Sequence, residues 1–200
     1  MFNEIDFSKI DTSITPPQDD TERQYYYMAK LAEMVALRER ELGRRITYCL
    51  QTFGCQMNEK QSEVVAGIMD EIGFKRQETE DADVVIYNTC TVRENANLKV
   101  YGRLGKLHSL KKSNPDMKIA LFGCMMQEKQ VVDKIQKDYP FVNLVFGTHN
   151  IFKFAELFYE MENRDSQLID IWEGTDKIVE ELPTERNYSF KVRCEYYVWM

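Results

Sequence analysis

The 200 residues carry 26 Lys and Arg against 33 Asp and Glu, which gives a net charge of −7 at pH 7. With 44% hydrophobic residues the chain can bury a sizeable core, and its length fits one domain with extensions. The negative charge is the wrong sign for a free-standing nucleic-acid binder, because neutralised phosphate supplies most non-specific affinity. No apolar run approaches the roughly 18 residues of a membrane span, and the acidic start lacks a secretory pattern. We therefore expect a cytoplasmic protein without membrane contact.

The first predicted element is a long helix. Residues 1–20 contain two prolines and several acids without a hydrophobic period, which predicts a mobile or loosely docked tail. From Asp20 to Leu42 good helix formers dominate, with apolar side chains at three- and four-residue spacing. Gly43 is typical of the residue that ends a helix. Residues 1–44 are thus predicted to be an N-terminal extension with a helix.

Residues 45–163 alternate short β-rich runs with amphipathic stretches of helical length. The runs are ITYCLQTF, DVVIYNT, KIALFG and VNLVFG, and a closing helix is predicted at IFKFAELFYEME. Strands that alternate with helices imply right-handed crossovers and a mainly parallel sheet with helices on both faces. The sequence therefore predicts an α/β domain over residues 45–163. Residues 164–200, with mixed charge and a proline, are typical of a linker with room for one strand.

Three of the five cysteines follow predicted strands: Cys55 the first, Cys90 the second and Cys124 the third. The carboxyl ends of parallel strands lie at one edge of a sheet, so these residues are predicted to converge on one crevice. Helix N-termini at this edge would favour thiolates by lowering the cysteine pKa. Three thiolates without a fourth protein ligand fit a [4Fe–4S] cluster with one open iron better than a closed zinc site.

The spacing leaves other interpretations open. The three cysteines are equally compatible with small buried hydrophobes, because no compact C-x-x-C pattern strengthens the case for metal binding. Cys49 lies inside a predicted strand and is assigned to the core. Asn58 and Asn88 flank two of the cysteines and can orient the loops or donate hydrogen bonds to sulfur, but turn chemistry is favoured for them.

A basic helix face and a nucleotide-binding alternative also need an interpretation. Lys99, Arg103 and Lys106 share one face of a predicted helix; that face can contact RNA phosphate, but a solvated face is favoured in so acidic a chain. A flavodoxin-like binding domain with inert cysteines would need a glycine-rich phosphate loop. None of the strand-end loops contains G-x-G-x-x-G or a P-loop.

Four segments carry a resemblance to a known family: QTFGCQMNEKQSE, NTCTVRENANLKVYGRLG, FGCMMQ and FGTHNI. They resemble, in order, the signatures of MiaB-type tRNA methylthiotransferases, and the match runs from about Arg45 to Phe158. The QMN after Cys55 is similar to this family rather than to the methylthiotransferases of ribosomal proteins. The resemblance implies a flavodoxin-like N-terminal domain, followed in the family by a radical-SAM barrel and an RNA-binding TRAM domain. It also implies that Cys55, Cys90 and Cys124 bind an auxiliary [4Fe–4S] cluster.

The resemblance further implies a reaction and its partners. Enzymes of this family attach a methylthio group to position 2 of N6-isopentenyl-adenosine beside the tRNA anticodon. They use S-adenosyl-L-methionine and a second [4Fe–4S] cluster. One S-adenosylmethionine methylates a sulfur on the auxiliary cluster, and another yields the radical that activates the base. Three cysteine ligands suit this chemistry, since a fully coordinated cluster would leave no iron for the sulfur. The implied partner is the tRNA anticodon loop, and a monomer is expected.

The end of the sequence departs from the family pattern. The radical-SAM signature C-x-x-x-C-x-x-C is expected soon after the linker, yet Cys194 is the only cysteine after Cys124. One codon choice for the ending CEYYVWM, read one base later, encodes Val-Asn-Ile-Met-Tyr-Gly, which is similar to the family. We therefore expect a truncated chain with a frameshift near Lys191 to Arg193, unable by itself to perform methylthiolation. The alternative is a stand-alone iron–sulfur or metal-binding α/β module without catalytic activity.

Overall fold

A computed structural model describes residues 6–91, 94–174 and 182–184. Cys194 and the expected frameshift lie outside the described residues. The helices are α1 (Asp20–Leu42), α2 (Gln56–Glu71), α3 (Glu94–Ser113), α4 (Lys129–Asp138) and α5 (Phe154–Glu162). The strands are β1 (Thr47–Phe53), β2 (Lys75–Arg76), β3 (Val84–Thr89), β4 (Lys118–Gly123), β5 (Leu144–Phe146) and β6 (Leu168–Asp170). Short 3-10 helices occur at Phe7–Lys9, Cys124–Gln127 and Ile151–Lys153.

The six strands form one sheet in the order β2-β1-β3-β4-β5-β6, and every neighbouring pair is parallel. The predicted α/β class with a mainly parallel sheet is confirmed, and the order of the first five strands is that of flavodoxin-like folds. The chain moves from β1 to β2 on one side and returns to β3 on the other. This reversal opens a crevice between the loops that follow β1 and β3.

Helices cover both faces of the sheet, as a parallel sheet requires. On one face, side chains of α1, α2 and α5 pack on β-strand residues such as Phe122 and Phe146, whose rings stack 4.9 Å apart. On the other face, α3 and α4 bury Leu104 and Ile135 in a second cluster. All six residues of β3 are buried, so the centre of the sheet is shielded from water on both sides. Among the helices in the described ranges, none has the length and hydropathy of a membrane span.

The long first helix has the bounds that its sequence predicts. The Asp19 carboxylate accepts hydrogen bonds from the backbone N–H groups of Thr21 and Glu22, each at 3.0 Å, and so caps the helix start. Gly43 ends the helix in the left-handed region at φ 65°, where a glycine costs least. The described residues before the helix contact it, and Phe7 and Ile10 pack partly buried against the core. The Tyr26 hydroxyl donates to the carbonyl of Ile14 at 2.9 Å and thereby ties this segment to the helix.

Two short strands lie outside the predicted runs. The two residues of β2 pair with the start of β1 and are too short to show an alternating pattern. The three residues of β6 extend the sheet beyond residue 163, with Leu168 opposite Leu144 of β5. Leu168 is also part of the core cluster on the α1 face. The segment after residue 163 therefore contributes one strand, β6, for which the sequence left room.

Candidate cysteine site at the strand ends

The register of the central strands sets the positions of the three cysteines. Phe53 of β1 is level with Thr89 of β3, and Thr89 is level with Gly123 of β4. Cys90 and Cys124 directly follow the last two of these residues, and Cys55 follows Phe53 by two positions. The sheet thus delivers three cysteines from adjacent strands to the same edge.

The three thiols differ in environment but interact with one another. Cys55 is exposed at the N-cap of α2, Cys90 is buried, and Cys124 is half-buried at the start of a 3-10 helix. The Cys90 thiol favours ionisation of Cys55, and the charges of both residues act on Cys124. The interpretation as three buried core residues fails for Cys55, the most exposed of the set.

Helix geometry lowers the pKa of the Cys55 thiol. Partial burial opposes ionisation, but it is outweighed by the backbone N–H groups of Asn58, Met57 and Cys55 itself and by the Cys90 thiol, all of which donate to the sulfur. These N–H groups belong to the first turn of α2, where the helix dipole also favours negative charge. The expectation of a favoured thiolate at a helix N-terminus is therefore met at Cys55.

Cys124 departs from that expectation. Burial raises the pKa of its thiol, and the neighbouring charges of Cys90 and Cys55 raise it further. Its own backbone N–H and the Asn58 side chain oppose this rise without overcoming it. Sequence reasoning gave weight to the helix terminus and missed the mutual repulsion of gathered sulfurs. Cys49 is buried in β1 as predicted, and burial raises the pKa of its thiol.

A network of buried amides lies directly beneath the cysteines. The Asn58 side chain accepts from the Cys55 N–H at 3.1 Å and donates to Asn88 Oδ1 at 2.8 Å and to the Thr89 carbonyl at 3.0 Å. Asn88 in turn donates to the Asn58 carbonyl at 2.7 Å and to Ser62 Oγ at 3.0 Å. Both asparagines are fully buried. They join strand ends to one another, a role that the turn interpretation of these residues missed.

Two glycines make room for this network. A Cβ atom on Gly54 would lie 2.2 Å from Asn58 Oδ1, and one on Gly123 would lie 2.3 Å from the Thr89 carbonyl oxygen. Gly123 also has a φ of 110°, which L side chains rarely adopt. The glycines that precede Cys55 and Cys124 are therefore required by the close approach of the loops.

Basic side chains of α3 form ion pairs with a buried carboxylate of the same chain. Glu80 is buried and accepts from the Tyr87 hydroxyl at 2.5 Å, from Arg103 at 2.6 Å and from Lys106 at 2.8 Å. Arg103 also donates to the Gln51 side chain of β1. Of the three basic residues singled out in the sequence, Lys99 is exposed and the other two neutralise Glu80. They are intramolecular partners rather than a ready phosphate site.

The type of donor atom at this edge of the sheet indicates which kind of metal group it suits. Among residues 6–91, 94–174 and 182–184, no three His, Cys, Asp or Glu side chains are already disposed as the ligands of a metal ion. Cys55, Cys90 and Cys124 nevertheless supply three soft sulfur donors, one of them with a lowered pKa. Soft thiolates are the ligands that iron–sulfur clusters use. The donor type of these residues therefore suits an iron–sulfur group.

Comparison with known proteins shows the family to which the chain belongs. A model of "Uncharacterized protein family UPF0004" matches residues 47–147, from the first residue of β1 to just past β5. The chain belongs to family UPF0004. The matched UPF0004 region contains all three cysteines of the site and the amide network beneath them.

Similar proteins are named tRNA-2-methylthio-N(6)-dimethylallyladenosine synthase. That of Lachnoclostridium phytofermentans is 63% identical over 151 residues, which cover 76% of this chain and 33% of the relative. Those of Acetivibrio thermocellus and Clostridioides difficile are 44% and 43% identical and cover 86% and 89% of this chain. The UPF0004 chain spans about a third of these relatives, 33–37% of their length, and corresponds to their N-terminal part.

Proposed function

We propose that residues 45–163 form the auxiliary-cluster domain of a tRNA methylthiotransferase, in which Cys55, Cys90 and Cys124 bind a [4Fe–4S] cluster. One observation carries this proposal: three adjacent parallel strands end level with one another, and a cysteine follows each end. The names of the relatives support it independently.

Each cysteine has its own part in the proposed site. Cys55 is exposed and its thiol has a lowered pKa, because the N–H groups at the start of α2 face its sulfur. Cys90 forms the buried wall of the site, and Cys124 closes it from the β4 side. The cluster, when bound, would supply an iron without a protein ligand, at which a sulfur for transfer can be held. The protein therefore contributes three ligands and leaves the fourth position free.

In the complete enzyme, we propose the conversion of N6-isopentenyl-adenosine beside the tRNA anticodon to its 2-methylthio derivative. S-Adenosyl-L-methionine and a second [4Fe–4S] cluster would be bound by the radical-SAM part of that enzyme, and the protein would act in the cytoplasm as a monomer. The net charge of −7 and the engagement of Arg103 and Lys106 by Glu80 favour tRNA binding by other parts of the enzyme. The inactivity of the 200-residue chain by itself stays a prediction.

Iron binding tests the proposed site directly. The 200-residue chain would be reconstituted anaerobically with iron and sulfide, and its iron content and visible absorbance measured beside those of Cys55→Ala, Cys90→Ala and Cys124→Ala. Each of these variants should retain less iron than the unaltered chain, because each loses one of three ligands. Cys49→Ala is the matched control, since this cysteine lies in β1 outside the site, and it should retain the full iron content. Circular dichroism of the iron-free proteins would show that all of them fold. Equal iron in the unaltered chain and in all three site variants would overturn the proposal.

A further inference from the structure

The loops that carry the three cysteines are joined through one side chain. Asn58 lies in the first turn of α2 and is 0% exposed. Its amide oxygen receives the N–H of Cys55, and its amide nitrogen reaches the carbonyl of Thr89, the residue before Cys90. The Cys55 thiol also donates to the same amide oxygen at 3.4 Å. A single amide thus connects the loop after β1 to the loop after β3.

The orientation of this amide is fixed by its neighbours. Asn88 directs its own Nδ2 at the Asn58 carbonyl and at Ser62 Oγ, so its Oδ1 must face Asn58. A reversed Asn58 amide would place oxygen against oxygen at Asn88 and N–H against N–H at Cys55. Both asparagines therefore have one satisfied orientation, as buried polar groups require.

The same amides reach the third loop. Asn88 Oδ1 would lie 2.5 Å from a Cβ on Gly123, the residue before Cys124, so the β4 end rests against the amide pair. The Thr89 hydroxyl donates to the Phe122 carbonyl at 2.8 Å and closes the connection between the ends of β3 and β4. The Asn58 side chain also interacts with the Cys124 thiol.

From these contacts we propose that Asn58 is the positioning residue that holds the loops of Cys55, Cys90 and Cys124 together as one ligand set. The role of Asn58 in cluster binding rests on the proposed function. Its joining of the loops rests on the hydrogen bonds alone. Asn58 hydrogen-bonds directly to Cys55 and to the Thr89 carbonyl beside Cys90. It reaches the Cys124 loop through Asn88, whose Oδ1 lies against Gly123. Loss of groups that orient metal ligands typically lowers metal affinity by about 10–100-fold.

The chain offers a close control in Asn150. This residue is also 0% exposed and also joins two strand ends: its Oδ1 accepts from the Gly147 N–H at 3.0 Å and its Nδ2 donates to the Asp170 carbonyl at 2.8 Å. It connects β5 to β6, however, and within the described part of the chain it has no hydrogen bond to a cysteine or to a residue beside one. Asn58→Ala and Asn150→Ala therefore remove equivalent amides from different parts of the same edge.

Two measurements test the proposal. In the first, reconstituted proteins are mixed with an iron chelator and the loss of cluster absorbance is timed. Asn58→Ala should lose its cluster about 10–100-fold faster than the unaltered chain, whereas Asn150→Ala should lose it at the unaltered rate. Asn58→Asp provides a second variant: it keeps the acceptor for the Cys55 N–H but loses both amide donors, and it should also lose the cluster faster. Equal rates for Asn58→Ala and Asn150→Ala would overturn the proposal.

The second measurement uses the iron-free proteins, so that it does not depend on the cluster. Amide hydrogen exchange in peptides containing residues 54–58 and 89–91 should be about tenfold faster in Asn58→Ala, as the loss of one hydrogen bond predicts. In Asn150→Ala the faster exchange should appear in residues 147–150 instead. If the unaltered chain takes up no iron, the proposed function fails and exchange alone decides the inference. Unchanged exchange at residues 54–58 and 89–91 in Asn58→Ala would overturn it.

Discussion

A single buried carboxylate, that of Glu80, forms ion pairs with neighbouring basic side chains. On α3, Arg103 and Lys106 of the basic face both pair with Glu80, while their side chains stay partly exposed. The helical period shows which residues share a face but not which distant residue meets that face. Glu80 lies in the loop before β3, and nothing in the spacing along the helix indicates it.

Asp83 gives a residue-scale prediction on pH. Its carboxylate, 16% exposed, accepts from the Arg44 guanidinium at 2.6 and 2.8 Å and from the Thr47 N–H at 2.8 Å. Burial opposes ionisation, but these donors outweigh it and hold the pKa of Asp83 below its ordinary value of 3.8. The charged Asp83 carboxylate therefore stabilises the fold at pH values above 3.8, its ordinary pKa. This contribution is lost as the pH falls through the lower pKa of the folded state. Asp83→Asn should lower the free energy of unfolding by about 1–3 kcal/mol at pH 7.

Urea unfolding of both proteins at pH 7, 5 and 3.5 would measure this effect. The difference between them should be nearly the same at pH 7 and 5 and smaller at pH 3.5. A difference that stays constant across the three values would show that the Asp83 charge does not contribute.

The glycine before Cys124 gives a second residue-scale prediction. At Gly123 an added Cβ meets backbone 2.3 Å away and the φ of 110° is unfavourable, so Gly123→Ala should destabilise the fold by about 1–3 kcal/mol. It should also reduce iron uptake by displacing the Cys124 loop. Gly105 of α3 is the control: a Cβ there meets nothing within 4 Å, and Gly105→Ala should stabilise by about 0.5–1 kcal/mol. Thermal unfolding curves would compare the two, and a Gly123→Ala protein as stable as the unaltered chain would contradict the prediction.

At the scale of elements, α1 is held to the domain by polar as well as apolar contacts. Arg23 of α1 forms a salt bridge with Glu156 of α5, whose side chain is only 6% exposed. Glu156→Ala should lower the free energy of unfolding by about 1–3 kcal/mol, because the hydrogen bonds of a charged pair are lost. Asp138→Ala breaks an exposed pair with Lys134 in α4 and should cost about 0.5 kcal/mol or less. Chemical unfolding would separate the two, and equal losses would contradict the stabilising role of Arg23 and Glu156.

The elements also show where sequence patterns carry enough information. The helix of Asp20–Leu42 has a capping acid, helix formers throughout and a terminal glycine, so local signals fix both of its ends. The strand Leu168–Asp170 has no such signals and forms because β5 offers an open edge. Local chemistry therefore predicted the first element to the residue, whereas pairing between distant segments determined the second.

For the whole molecule, strand and helix alternation was sufficient to predict the layered α/β fold and the meeting of three strand ends. The alternation was not sufficient to predict the amide network. Asparagine is common in turns, and the pairing of Asn58 with Asn88 depends on the order of the strands in the sheet. The apolar run VVIY before Asn88 is the signal that could have indicated it, since an asparagine at the end of a buried strand must find polar partners. The sequence thus predicted that the three strand ends share one edge of the sheet, but not the amide hydrogen bonds between them.

Location of bound iron tests the central claim most directly. A crystal structure of the reconstituted chain, solved anaerobically with diffraction data at the iron absorption edge, would show where iron lies. We predict one anomalous peak or cluster of peaks at the carboxyl ends of β1, β3 and β4, with the sulfurs of Cys55, Cys90 and Cys124 as its three protein ligands. Iron bound elsewhere, or bound at this edge without all three sulfurs, would contradict the claim that sheet topology assembles one cluster site.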